Sequence, residues 1–322
     1  MESMKYRRCG QSGVLLPAIS LGFWHNFGEL TPESQSRAIA RAAFDAGITH
    51  FDLANNYGPQ PGAAELRLGK MLQDDFRGHR DELFISTKAA YDMWPGPYGS
   101  WASRKHLIAS LDQSLQRMQL KYVDLFYCHR YDPETPLEET LQALVDVVRA
   151  GKALYIGLSR WPLEAAEKGY RYLRERDVPC LIYQGRLNLF DRQPLQEGIL
   201  DSAQQEGVGF IGFSPLAQGL LTNRYLNGIP ADSRMAHDPR FLKSDMLTPQ
   251  MLQRIRALND VAQQRGEDLA TMALSWILQH EAVTSVIIGA SSPEQLQRNL
   301  SCLKSAPFSQ EELTTIQTII NK

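Results

Sequence analysis

The chain has 322 residues, 43% hydrophobic and 22% charged, with a formal net charge of −2. That length suits one large α/β domain or two average ones and is ample for a sizeable core, and the near-neutral balance offers no basic field to draw in nucleic acid. No apolar run approaches the roughly 18 residues a bilayer requires and no signal-peptide core follows Met1–Arg8, so a cytoplasmic protein without a membrane or nucleic-acid partner is expected.

The opening stretch Lys5–Ile19, with Gly10-Gln11-Ser12-Gly13 at its centre, reads as a β-hairpin. Apolar strands then alternate with helices. Strands are predicted at Ala18–Leu21, Thr49–Asp52, Leu83–Thr87, Tyr122–Cys128, Leu154–Leu158, Cys180–Gln184, Gly209–Phe213 and Ser285–Ile288. Helices are predicted at Glu33–Ala46, Gly62–Met71, Arg104–Met118, Pro136–Ala150, Leu163–Arg176 and Gln193–Gln205. A helical pair follows within Pro249–Gln279, then Ser292–Ser301 and Gln310–Ile320.

The clearest helix start is Thr135-Pro136-Leu137-Glu138. Thr135 reads as the N-cap, Pro136 as the first helical residue and Glu138 as the partner that closes a capping box. Leu137, Leu141, Leu144, Val145 and Val148 then share one face, and Gly151 follows as the C-terminal stop.

About eight strand-then-helix units over such a length is what a (β/α)8 TIM barrel requires. An open doubly wound sheet is the competing architecture. It would normally carry a glycine-rich phosphate turn after an early strand, and the chain has neither GxGxxG nor GxxxxGK[ST]. No linker or repeat divides the chain, so residues 1–322 are read as one domain. Two connections, Ala89–Ala102 and Gln218–Leu247, are long enough to be binding loops. Cys9, Cys128, Cys180 and Cys302 are scattered without a CxxC pair, so they read as small buried hydrophobes, and no metal site is expected.

Working residues of a barrel lie at the C-terminal ends of its strands. Asp52 ends the second strand, with Tyr57 in the loop after it; Lys88 follows the third strand and His129 the fourth. Each alone has an ordinary reading as a cap, a solvated amine, a packing aromatic or a satisfied imidazole. Together they bring an acid, a phenol, an amine and an imidazole to one rim. Reduction of a carbonyl by hydride leaves an alkoxide that needs a proton. A phenol of ordinary pKa about 10 keeps its proton at neutral pH and can donate it. A nearby ammonium lowers the cost of the tyrosinate left behind. Lys88 can supply that charge, Asp52 can hold it, and His129 can aim the carbonyl oxygen.

This constellation resembles the Asp-Tyr-Lys-His tetrad of the aldo-keto reductase superfamily. The resemblance runs along the chain through Phe51-Asp52-Leu53-Ala54, Tyr57-Gly58, Ser86-Thr87-Lys88, Gly157-Leu158-Ser159-Arg160-Trp161, Phe213-Ser214-Pro215-Leu216-Ala217-Gln218-Gly219 and Gly289-Ala290-Ser291. It implies catalytic roles for Asp52, Tyr57, Lys88 and His129, and NADPH/NADP+ as cofactor. Ser159 and Gln184 would bond the nicotinamide carboxamide, and Phe213 would stack under the ring, bordered by Trp24 and Asp52. Ser214, Leu216, Gln218 and Gly219 would follow the pyrophosphate, with Arg224 and Arg234 closing over it. Gly289, Ser291, Gln295 and Asn299 would hold the adenosine end. Where many NADPH-preferring relatives place an Arg or Lys, this chain has Ser292, and Arg298 is either a substitute cation or a solvated helix residue.

The same resemblance implies a small carbonyl substrate, such as glyceraldehyde 3-phosphate or methylglyoxal, and a homo-oligomer, tetrameric or octameric. Trp24, Tyr57, Trp94 and Trp101 either form an aromatic mouth over the carbonyl or, for one or more of the tryptophans, merely pack loops, and Arg130 and Arg160 are partners for an anionic substrate or structural ion pairs. Some family members are redox-sensing regulatory subunits with little turnover. Those carry Asn at the position of His129, which favours an enzyme here.

Overall fold

In a computed structural model of the chain, residues 4–58, 60–230 and 244–321 are described. Short strands Tyr6–Arg8 (β1) and Leu15–Pro17 (β2) pair antiparallel. Eight further strands then run parallel: Ile19–Gly22 (β3), His50–Asp52 (β4), Phe84–Ala89 (β5), Val123–Cys128 (β6), Ala153–Ser159 (β7), Cys180–Arg186 (β8), Gly209–Phe213 (β9) and Val283–Ile288 (β10). They close in the order β10-β3-β4-β5-β6-β7-β8-β9. This is the expected TIM barrel with its preceding hairpin.

The hairpin plugs the N-terminal end of the barrel. Cys9 and Leu16, both fully buried, pack with Leu125, Tyr127, Ile182 and Ile211 from the strands. Its turn docks on the loop before β9, where Gln11 N–H donates to Gly207 O at 2.9 Å. Gly10 has φ +54°, and a Cβ there would lie 2.1 Å from Gly207 O, so only glycine permits this approach.

Helices pack around the barrel as their apolar periodicity dictates. Ser103, Thr248, Asp268, Ser292 and Ser309 each cap one by accepting a backbone N–H, and Ser309 with Glu312 makes a full capping box. Helix Ala63–Asp74 lies close on Arg104–Met118 at Gly69, where a Cβ would come 2.5 Å from Arg117 O.

Two local expectations are corrected. Thr135 is not the cap of the fourth barrel helix, which runs Leu137–Arg149 after Pro136 with no side-chain cap. Its hydroxyl donates instead to Asp132 Oδ2 at 2.7 Å, a carboxylate that also collects the N–H groups of Ala102, Glu134 and Thr135. Glu138 is therefore left without a box to close. The predicted helix Gln193–Gln205 is two pieces, Gln193–Gln196 and Ile199–Gln205, because Gly198 between them is left-handed at φ +75°. Gly151, at φ +69°, does stop the fourth barrel helix. All four cysteines are free and buried, and no metal-ligating cluster occurs among the described residues.

Candidate active site

Parallel pairing sets the ends of neighbouring strands at one level. Register places Asp52 beside Ser86, Lys88 beside Tyr127, and Ser159 beside Gln184. Asp52, Lys88 and His129 therefore gather at one rim, and the loop after β4 returns Tyr57 to them.

Lys88 is fully buried. Its ammonium donates to Asp52 Oδ2 at 2.5 Å, to Leu53 O at 2.6 Å and to the Tyr57 hydroxyl at 3.4 Å. Three N–H bonds thus find three acceptors, the full capacity of the group. The other oxygen of Asp52 accepts from Ser86 Oγ at 2.8 Å and Gln184 Nε2 at 3.1 Å. The Tyr57 ring lies 5.8 Å from the His129 ring and 6.4 Å from that of Trp24.

Burial dominates the electrostatics. It pushes Tyr57 well above the usual phenol range, with the Asp52 carboxylate adding to the rise and Arg160 opposing it. Desolvation outweighs the lowering effect of Arg160. Tyr57 consequently holds its proton at rest. Burial also draws Lys88 below the usual amine range against the pull of Asp52. His129 is held well below the usual imidazole range by burial and then by Lys88, Arg160 and Arg130, so it is neutral.

A cleft of about 440 Å³ opens from this cluster. Its walls include Trp24, Asp52, Tyr57, Phe213, Ser214, Leu216, Gln218, Gly219, Arg224, Gly289, Ser291 and Gln295, all named from the sequence. His25, Asn26 and Thr222 also line it and were missed. The signal for His25 and Asn26 was available, since they follow the end of β3 as Tyr57 follows β4. Left-handed backbone at Ser214, Ala217 and Gln218, with Gly219, curls the loop after β9 into a concavity of the kind that holds anions. The Phe213 ring borders the cleft, with the Arg186 guanidinium 5.7 Å from its centroid. Gln295 Oε1 accepts from both the N–H and hydroxyl of Ser291.

Several buried polar atoms have no partner among the described residues: Ser159 Oγ, His129 Nδ1, Gln218 Oε1 and Asn299 Nδ2. Buried polar groups left unpaired are costly. Their position along one path, from the tetrad past the β9 loop to the helix Pro293–Leu300, fits an elongated polar ligand. A dinucleotide offers a carboxamide, phosphates and a purine along that length, so these residues fit the class of cofactor that the resemblance implies.

The remaining residues named from the sequence divide. Trp94 packs on His106 at 4.9 Å and borders a shallow surface depression rather than the cleft. Trp101 is 45% exposed and lies under Arg130, 3.7 Å from guanidinium to ring centroid. Arg130 also donates to Ala90 O and Ser100 Oγ and stacks on Tyr91. Arg160 is exposed and left-handed at φ +56°, and donates to the Tyr91 hydroxyl at 3.0 Å. Tyr91, whose ring meets the His129 ring edge-on at 4.7 Å, links both arginines to the tetrad and was missed. Arg298 is exposed on the helix that Ser292 caps. Arg234 lies outside the described residues.

Comparison with known proteins agrees with this geometry. The sequence model described as "Aldo/keto reductase family" matches residues 18–321. The L-glyceraldehyde 3-phosphate reductase of Escherichia coli strain K12 is 57% identical over 316 residues, covering 97% of this chain and 91% of that protein. Probable voltage-gated potassium channel β-subunits are also similar. That of Oryza sativa subsp. japonica is 34% identical and that of Arabidopsis thaliana 33%, each over 95% of this chain and 93% of the relative.

Proposed function

The chain belongs to the aldo/keto reductase family and is an oxidoreductase, and we propose that it reduces small aldehydes to alcohols with NADPH, Tyr57 delivering the proton. One observation carries the reading: the buried Asp52–Lys88 pair, bonded at 2.5 Å, meets the half-buried Tyr57 hydroxyl at 3.4 Å beside a cleft bordered by Phe213 and Gln218.

The cofactor's part is to supply hydride to the carbonyl carbon. The protein's part is to place the aldehyde and protonate its oxygen. Neutral His129 is suited to hydrogen-bond that oxygen and set its approach. Tyr57, kept protonated by burial, gives up its proton as negative charge develops on the oxygen. The tyrosinate then faces the Lys88 ammonium at 3.4 Å. At an effective dielectric near 20 that attraction is about 4–5 kcal/mol, partly cancelled by Asp52. Ser159 and Gln184, side by side at the ends of β7 and β8, are placed to hold a carboxamide.

Arg160 is our candidate for gripping an anionic substituent on the aldehyde. It is exposed beside the tetrad, whereas Arg130 is committed to Trp101, Ala90 and Ser100. The similar E. coli protein is named for a phosphorylated aldehyde, in keeping with a cation there. Arg298 supports NADPH over NADH, since it is the exposed cation on the helix at the far end of the cleft. Four buried free thiols suit a reducing compartment such as the cytoplasm.

The test is NADPH oxidation with glyceraldehyde 3-phosphate and with methylglyoxal. Wild type should turn over repeatedly. Tyr57→Phe should lose roughly 10²–10⁴-fold in kcat, the usual worth of a positioned general acid, with NADPH affinity within about threefold. Near-normal turnover by Tyr57→Phe would remove Tyr57 as proton donor. A single turnover by wild type would favour a redox-sensing subunit instead.

A further inference from the structure

Beneath the tetrad the barrel interior is unusually polar. Ser285 in β10, Ser20 in β3, His50 in β4 and Ser86 in β5 come from four consecutive strands, and all are fully buried. They touch in sequence: Ser285 Oγ to Ser20 Oγ at 2.6 Å, Ser20 Oγ to His50 Nδ1 at 2.8 Å, and His50 Nε2 to Ser86 Oγ at 3.0 Å. Ser86 Oγ then reaches Asp52 Oδ1 at 2.8 Å. Barrel interiors are normally filled by branched apolar side chains. A buried polar chain is tolerable only if each donor meets an acceptor.

The direction of every bond follows from the end of the chain. Asp52, paired with the Lys88 ammonium, can only accept. Ser86 therefore donates to it and must accept from His50 Nε2–H. Neutral His50 then has an accepting Nδ1, so Ser20 donates to it and accepts from Ser285. Burial agrees, since it draws the His50 imidazole down to about 4 against the raising effect of Asp52 and with the lowering effect of Lys88. The Phe84 ring, edge-on at 5.5 Å, brings no competing polar group.

We propose that His50 is a positioning residue for the reduction: through Ser86 it fixes the orientation of the Asp52 carboxylate, and with it the Lys88 ammonium beside the Tyr57 hydroxyl. The inference rests on the reading of Tyr57 as proton donor and deepens it. Without the His50 bond, Ser86 is free to turn toward Phe51 O, 3.5 Å away. Asp52 Oδ1 then keeps only Gln184.

Nitrogen-15 NMR of histidine-labelled full-length protein reads the chain without catalysis, with the His50 signals assigned from His50→Gln. Wild type should show His50 as the Nε2–H tautomer throughout neutral pH. An Nδ1–H tautomer in wild type overturns the proposal.

Kinetics reads the consequence. His50→Leu should lower kcat about threefold to tenfold, the scale of one lost neutral hydrogen bond, with both KM values within about twofold. His50→Gln, which keeps an N–H toward Ser86, should regain most of that loss. Should His50→Leu not fold, Ser86→Ala is expected to show the same fall in kcat. An unchanged kcat, or a loss confined to KM, overturns the proposal. If Tyr57→Phe retains turnover, the parent reading has failed; if Tyr57→Phe is dead and these variants keep full kcat, only the role of His50 has.

Discussion

Lys88→Met probes the central ion pair most directly. The substitution keeps much of the side chain's length while removing a fully buried charge with three donors. Asp52 retains Ser86 and Gln184 on Oδ1 but loses its counter-charge. Breaking a buried pair from one side costs about 3–5 kcal/mol, because the surviving charge stays desolvated. With roughly 2.1 cal/mol/K of unfolding entropy per residue, a chain of 322 residues should lose about 4–7 °C in Tm. The stranded carboxylate has one escape, which is to bind a proton, so its folded pKa should rise above the unfolded value of about 3.9. Between those two values the folded state of the variant holds more protons than the unfolded state, and stability falls as pH rises through the folded pKa. The deficit against wild type should therefore be smallest in acid and complete above that pKa. Thermal unfolding of both proteins from pH 5 to pH 9 measures it. A second substitution, Asp52→Asn, in the Lys88→Met background should recover much of the loss, since it removes the isolated charge. A deficit that is absent at pH 8, or that Asp52→Asn deepens, would refute the reasoning.

Two further outcomes concern substrate and pH. Arg160→Met should raise KM for glyceraldehyde 3-phosphate about tenfold to 100-fold, the scale of a charge-assisted hydrogen bond, and leave methylglyoxal within about threefold; equal effects on both substrates would deny Arg160 an anion-binding role. His129 lies well below the ordinary imidazole range and Tyr57 well above the ordinary phenol range, so protonation of the first needs unusual acid and ionisation of the second unusual base. The kcat/KM for methylglyoxal, which does not itself titrate there, should be flat from about pH 6 to pH 9. A limb near pH 6.5 that His129→Asn abolishes would show the imidazole to titrate normally.

Local pattern was enough for the barrel and for most of the rim. Strands such as Gly209–Phe213 and helices such as Arg104–Met118 announce themselves through runs and periods that neighbouring residues alone create. Asp52, Lys88 and His129 are legible because strand ends are, and a barrel turns strand ends into one rim. Side-chain partnership is a different matter. Thr135 looks like a cap until Asp132 takes its hydroxyl. Arg130 and Arg160 read alike until Trp101 and Ser100 engage the first, while the second stays exposed and donates to the Tyr91 hydroxyl. Ser20 and Ser285 stand 265 residues apart, and only closure of β10 on β3 brings their hydroxyls within 2.6 Å. Hydrophobic periodicity is written along the chain because burial acts on each segment separately. A hydrogen bond needs two particular atoms within about 3 Å, and which atoms those are depends on register and rotamers across the whole closed sheet.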